Sequence, residues 1–290
     1  MDHANEGAPA FQAPPLSCDS HFHVFGPAER YPHGGVNETL RYAPPLAPLA
    51  DYLALAQHLG IERFVFVQPS AYGRDNSCML DAMREVGTAR CRGIVDVDEN
   101  APDALLAELD ALGVRGVRIN VSPVKPPAPG FSETMRPRIA RLDARCLELG
   151  WHLDFLTPGW LTEELLPVFA TMRCSYSLAH MGMFKAEAGP TQPGFRKLLD
   201  LLRHGDGRCC VKLTGTYRMA TPPTYADAAP MARALIEAAP DRLISGSDYP
   251  HLSFADRVGS VQLFNLLADW ADEAERRKIL VDNPATLFGF

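Results

Sequence analysis

The sequence predicts an α/β protein built as one (β/α)₈ barrel, entered through a short N-terminal arm, and three observations carry that prediction. From residue 18 onward short β-rich runs alternate with longer amphipathic segments, eight strands with eight helices. Several helical segments stop at a glycine, such as Gly60, Gly113 and Gly150, and the next strand follows almost at once. The turn after the first strand, residues 26–45, is long and proline-rich and lacks the helix-opening GxGxxG of an open doubly wound sheet.

The elements follow in chain order. Residues 1–17, "MDHANEGAPAFQAPPLS", read as a flexible arm; they lack the charged start and apolar centre of a signal peptide. The first strand, "CDSHFHVF" (18–25), puts His21 and His23 at i and i+2, on one face of an extended chain, with Phe22 and Val24 on the other. The 26–45 turn reads as a lid or substrate loop over a barrel mouth. Helical patterns at 49–60, 101–113 and 135–150 separate strands at 63–69, 91–97, 114–120 and 151–157. Three more strands, at 175–180, 209–215 and 242–248, complete the eight, so that residues 18–290 form the barrel.

Composition narrows the function classes. A net charge of -7 speaks against a nucleic-acid surface. No apolar stretch approaches the roughly 18 residues of a membrane span. The seven cysteines show no CxxC spacing, and the adjacent Cys209 and Cys210 are too strained for an ordinary bridge. The expectation is a cytoplasmic protein, monomer or homodimer, acting on a small molecule.

In a barrel of this kind chemistry sits at the C-terminal ends of the strands, and polar side chains gather there. The first strand ends with His21 and His23; the second with Gln68, followed by Ser70 and Tyr72. The fourth carries Arg118 and Asn120, with Lys125 just beyond, and the sixth ends in His180. The seventh carries Lys212 and Thr214, with Tyr217 and Arg218 in its loop; the eighth ends in Asp248, with His251 three residues on. An arginine flanked by Val117 and Ile119 is costly to bury unpaired, so Arg118 reads as an anion-binding residue. Arg115 reads as a surface residue, and His152, at the wrong end of its strand, as structural. Lys212 is open between pairing with Asp19 or Asp154 inside the barrel and meeting substrate.

The motifs "DSHFHVFGP", "GVRGVRIN", "LAHMG", "GSDYPH" and "VDNPATLFGF" resemble the amidohydrolase superfamily, in the amidohydrolase-2 branch that holds the 2-pyrone-4,6-dicarboxylate hydrolases and related lactonases. The resemblance implies that Asp248 is the general base for water and that His21, His23 and His180 polarise the scissile carbonyl or ligate a metal. It implies that Arg118 and Arg218 bind a substrate carboxylate, and that Ser70 and Tyr72 line the site. Two departures stand out: Leu156 where the pyrone hydrolases have a substrate-contacting tyrosine, and a thin basic cluster after strand 4, Lys125 followed by "PPAPG".

A binuclear centre is disfavoured, because strand 4 offers Arg118 and Asn120 rather than a bridging Lys or Glu and strand 5 ends without a histidine. The expectation is a metal-independent hydrolase of a carboxylate-bearing lactone or pyrone, with Asp248 a better base if its surroundings raise its pKa. The alternative cofactor is one Zn²⁺ on His21, His23, His180 and Asp248. The alternative reactions are metal-dependent decarboxylation and lactone isomerisation.

Overall fold

The eight predicted strands all form, and they pair in chain order, every neighbour parallel, in a computed structural model that describes residues 7–34, 44–121 and 128–290. They are β1 (Cys18–Phe22), β2 (Arg63–Val67), β3 (Cys91–Val95), β4 (Val114–Asn120), β5 (His152–Leu156), β6 (Ser175–Leu178), β7 (Cys209–Leu213) and β8 (Leu243–Ser245). The helices packed around them include α1 (Leu49–Leu59), α2 (Ser77–Val86), α3 (Asp103–Ala111) and α4 (Phe131–Leu149). Further round lie α5 (Gly159–Phe169), α6 (Pro193–His204), α7 (Ala229–Ala238) and α8 (Ser260–Trp270). The fold is a (β/α)₈ barrel. Lys125 lies outside the described residues.

Side-chain alternation sorts each strand between two apolar layers. Phe64 and Phe66 of β2 point outward to the helices, where Phe22 stacks on Tyr52 of α1 with ring centroids 3.5 Å apart. Val65 and Val67 point inward and join Cys18, Ile94, Ile244 and Phe288 in a separate interior cluster. Burying each such side chain contributes about 1.5–3 kcal/mol, and neither layer holds together without the parallel register. On β1 the alternation is broken by a register shift between Asp19 and Phe22. A bulge of this kind re-aims side chains, so Cys18 and His21 both face the interior although three residues separate them.

Except for β4, the strands are shorter at their mouth ends than the sequence periodicity predicts. β1 stops at Phe22 and β8 at Ser245, so His23 and Asp248 lie in the loops that follow. The backbone there is already committed to closing the barrel. His23 N donates to Tyr249 O and Asp248 N to His21 O, both at 2.8 Å. Beneath them the buried Asp19 carboxylate accepts from Ser247 Oγ (2.6 Å), Ser247 N and His21 N (3.0 Å each) and Tyr52 OH (3.1 Å). α4 begins four residues earlier than the 135–150 pattern indicated, because Gly130, in the left-handed region, opens the helix ahead of "FSET". Ahead of β1, Phe11 of the arm stacks on Phe264 of α8 at 4.5 Å, and Ala10 N donates to Asn265 Oδ1. No helix among the described residues is long and apolar enough to cross a membrane.

Gly246 is where the seam is tightest: a Cβ there would lie 2.5 Å from His21 N and 2.7 Å from Asp19 Oδ1. Gly246→Ala should therefore destabilise the protein by about 1–3 kcal/mol, the usual cost of overpacking. A chemical-denaturation midpoint equal to wild type would contradict this account of barrel closure.

Candidate active site

Asp248 is the centre around which the site assembles. It follows β8 in a left-handed conformation (φ 56°) that a non-glycine residue adopts only at a cost. Its carboxylate is 1% exposed. One oxygen, Oδ2, accepts from Tyr217 OH at 2.6 Å and from Arg218 Nε at 3.0 Å. The other, Oδ1, makes no hydrogen bond and faces His21 Nε2 at 3.6 Å and His23 Nε2 at 3.7 Å. His180 Nε2 approaches Oδ2 at 3.6 Å. Three histidines, from β1, from the loop that follows it and from the loop after β6, thus converge on one carboxylate.

Each imidazole is oriented from behind. His23 Nδ1 lies 2.7 Å from Val67 O, an acceptor only, so the ring proton sits on Nδ1 and Nε2 presents its lone pair. His180, also left-handed (φ 54°), is gripped by Thr214 of the loop after β7, whose Oγ1 lies 2.8 Å from Nδ1 and 3.3 Å from the backbone N. The ring fits there only because residue 215 is glycine: a Cβ at Gly215 would stand 2.3 Å from His180 Nδ1. His21 Nδ1 lies 3.3 Å from the ammonium of Lys212 on β7.

Lys212 settles between its two sequence readings by pairing with Asp154 of β5 at 2.7 Å, both fully buried inside the barrel. Asp154 also accepts from Ser177 Oγ at 2.6 Å, and Lys212 donates to Ser20 O at 3.1 Å. Burial raises the Asp154 carboxyl, but the charge of Lys212, with Arg118 and the hydrogen bonds behind it, brings it down to about 2. Burial lowers the Lys212 ammonium from its ordinary range, and the Asp154 carboxylate works against that shift. An ammonium has donors and no acceptor, so Lys212 presents a proton to His21 Nδ1 and leaves the imidazole proton on Nε2, facing Asp248.

The histidines are neutral. Burial lowers His21 well below the usual imidazole range, with the Lys212 charge adding to it, and burial likewise lowers His23. Burial brings His180 down to about 3, against the attraction of Asp248. The conditional lift of the Asp248 carboxyl does not occur. Burial alone would raise it, but the Arg218 guanidinium on its oxygen, the largest of the opposing causes, holds it well below the carboxylate range. Tyr217, pushed up by burial and by Asp248, stays protonated and donates.

His21, His23 and Asp248 offer atoms within 4.8 Å of one another, ligand types that suit zinc. His23 fits an ion, with its lone pair on Nε2. His21 does not, because the Lys212 ammonium behind its Nδ1 puts a proton on the very atom that would have to ligate. As hydrogen-bonded here, the donor set does not fit a divalent cation.

Of the residues singled out in the sequence, His21, His23, His180, Asp248 and Arg218 come together. Arg118 is 3% exposed; its Nη1 donates to Gln68 O, and its charge acts on both His23 and His180. Ser70 is exposed at the start of a short turn, while Tyr72 is buried, its hydroxyl accepting from Gly26 N at 3.2 Å and its ring against Phe25 and His33. His152 bonds Arg115 O at 2.7 Å at the closed end of the barrel, and Arg115 pairs with Asp110. Tyr217 was given no role by the sequence, although it stands beside Arg218; nothing in the local pattern shows that adjacent residues of one turn grip a single oxygen.

Comparison with known families matches residues 18–290 to the amidohydrolase family, and the chain belongs to it. It is 38% identical over 287 residues to the 4-sulfomuconolactone hydrolase of Hydrogenophaga intermedia, covering 96% of this chain and 90% of that one. It is 32% identical over 296 residues to the 2-pyrone-4,6-dicarboxylate hydrolase of Comamonas testosteroni, covering 99% and 94%. A crystal structure of a candidate 2-pyrone-4,6-dicarboxylic acid hydrolase from Pseudomonas putida superposes with a TM-score of 0.81 at 32% identity, covering 94% of this chain and 97% of that one.

The lowered histidines make stability depend on pH. His152 is held by burial at about 4 and His180 at about 3, against an ordinary 6.5. Their neutral forms stabilise the fold fully above 6.5, and each loses about 1.4 kcal/mol per pH unit as the pH falls below that towards its folded value. Asp19, which burial raises to about 6, acts in the opposite sense between about 6 and 3.8, but offsets only one histidine. The melting temperature should fall steadily from pH 7 to pH 4.5; a flat or rising profile in calorimetry would refute the neutral cluster.

Proposed function

We propose that the protein is a metal-independent hydrolase that opens a cyclic ester bearing an anionic group, with Asp248 as general base. The observation that carries this reading is the division of labour on one buried carboxylate: Oδ2 is tied to Tyr217 and Arg218, and Oδ1 faces the Nε2 atoms of His21 and His23. Its likeness over almost the whole chain to lactone hydrolases supports the same reading.

Water attacks the ester carbonyl carbon and gives a proton to Asp248 Oδ1. His21, carrying its proton on Nε2, donates to the carbonyl oxygen as negative charge develops there, in a site too dry for water to compete. The lone pair of His23 Nε2 accepts the second hydrogen of the attacking water and aims it. The ring C–O bond then breaks, Asp248 returns its proton to the departing alkoxide, and a hydroxy acid leaves. Arg218 has a second part: it is 22% exposed and faces outward. A substrate anion drawn to its guanidinium competes with Asp248, weakening the hold on Oδ2 and making the carboxylate a stronger base when substrate is bound. Arg118, whose charge acts on His23 and His180, is the second arginine proposed to attract the substrate anion.

Removing the base while keeping its shape tests this. Asp248→Asn should lower turnover of an anionic lactone by about 10²–10⁴-fold, the range for general base catalysis. The variant should still give a cooperative melting transition. Near-wild-type turnover in a folded variant would exclude Asp248 as the base.

A further inference from the structure

Beside the catalytic carboxylate, a cavity of about 550 Å³ opens over the mouth ends of β5 and β6. Its volume is that of a small-molecule site. Arg218 belongs to both places: its Nε is on Asp248 Oδ2, and its outer side lines the cavity. The rest of the lining is largely apolar, with Leu156 at the end of β5, Trp160 at the start of α5, Met183 and Phe184 in the loop after His180, and Phe254 in the loop after Asp248. Phe254 also packs on Tyr217, ring centroids 5.0 Å apart, so the apolar wall reaches the residue that holds the base.

The cationic lining residues share one edge, and the Glu163 carboxylate lies beside Phe184. Lys185 donates to Arg218 O at 3.0 Å, which places both cations at the same edge. Glu163, the one acidic lining residue, is paired with Lys197 at 2.9 Å. An occupant with a single anion at the Arg218 edge leaves only apolar substance to meet Leu156, Trp160 and Phe184. A second carboxylate away from the Arg218 and Lys185 edge would be desolvated against those three, near the Glu163 carboxylate and with no further cation among the described lining residues, which is costly.

We infer that the substrate is a monoanionic cyclic ester whose anion lies at Arg218 and whose alkyl or aryl substituent fills the cavity between Leu156, Trp160, Phe184 and Phe254. This rests on the lactone hydrolase reading and narrows it, away from compact dicarboxylates.

Binding of open-chain acids tests the cavity without requiring turnover. Titrating the protein with 4-phenylbutanoate, butanoate and glutarate by calorimetry, with tryptophan fluorescence to report on Trp160, compares one anion with an apolar tail, one without, and two anions. The expected result is binding of 4-phenylbutanoate at least tenfold tighter than either other acid. In Leu156→Arg, checked for an unchanged melting transition, that preference should fall at least tenfold while glutarate gains. Equal affinities in the wild-type protein, including no measurable binding of any acid, or a preference for glutarate, would overturn the inference. A parallel assay on anionic lactones with and without a phenyl substituent separates the two claims. Turnover that favours the unsubstituted or dianionic lactone removes the inference and leaves the hydrolase reading. Tight 4-phenylbutanoate binding with no lactone opened removes the hydrolase reading and leaves the cavity's preference.

Discussion

A carboxylate with almost no contact with solvent has to be neutralised by its neighbours, and Asp248 is placed where the barrel closes. Arg218 and Tyr217 take one oxygen, with His180 near it, and His21 and His23 face the other; burial keeps all three imidazoles neutral. Position and charge are inseparable here. The backbone of Asp248 donates to His21 O and His23 donates to Tyr249 O, so the two bonds that close the barrel also fix the distance from the Asp248 carboxylate to the histidines. Asp19, beneath them, ties Ser247 to His21 and keeps both loops in register. Loosening the seam would loosen the site.

A second buried charge lies deeper. Lys212 and Asp154 face each other across the barrel interior, and an ion pair there gives little net stability, because desolvating two charges consumes most of the attraction. Its consequence is directional rather than energetic. With Asp154 holding the ammonium charged, Lys212 supplies a donor to His21 Nδ1, and a ring that could have offered a lone pair offers a proton instead. His21 and His23 therefore differ in what they present, a proton on one Nε2 and a lone pair on the other, through what stands behind each ring; the proposed roles of donor to an oxyanion and acceptor from water follow that difference.

Much of this was legible in the sequence. The alternation of strand and helix patterns, with glycines closing helices such as α1 and α4, located all eight strands. Polar residues at strand ends singled out His21, His23, His180, Asp248 and Arg218, because a barrel sends those positions to one mouth. What stayed hidden depends on register and on contacts distant in the chain. Lys212 and His21 are 191 residues apart, and only the closed barrel brings β7 against β1. The bulge in β1 and the early ends of β1 and β8 come from seam hydrogen bonds that no local propensity encodes. The packing of the Tyr72 ring on Phe25 and His33 is likewise a contact between distant segments. The depressed Asp248 pKa follows from Arg218 lying on its oxygen, a contact between loops 30 residues apart.

The central claim is that Lys212 fixes the proton of His21 on Nε2, so that the ring acts on the carbonyl as a hydrogen-bond donor and not as a metal ligand. Long-range ¹H–¹⁵N correlation spectroscopy of the histidine rings, assigned with a His21→Gln variant and recorded with and without one equivalent of zinc, reads this directly. The account predicts a protonated Nε2 and an unprotonated Nδ1 for His21, unchanged by zinc. A proton on Nδ1, with Nε2 shifting to a metal-bound value when zinc is added, would contradict it.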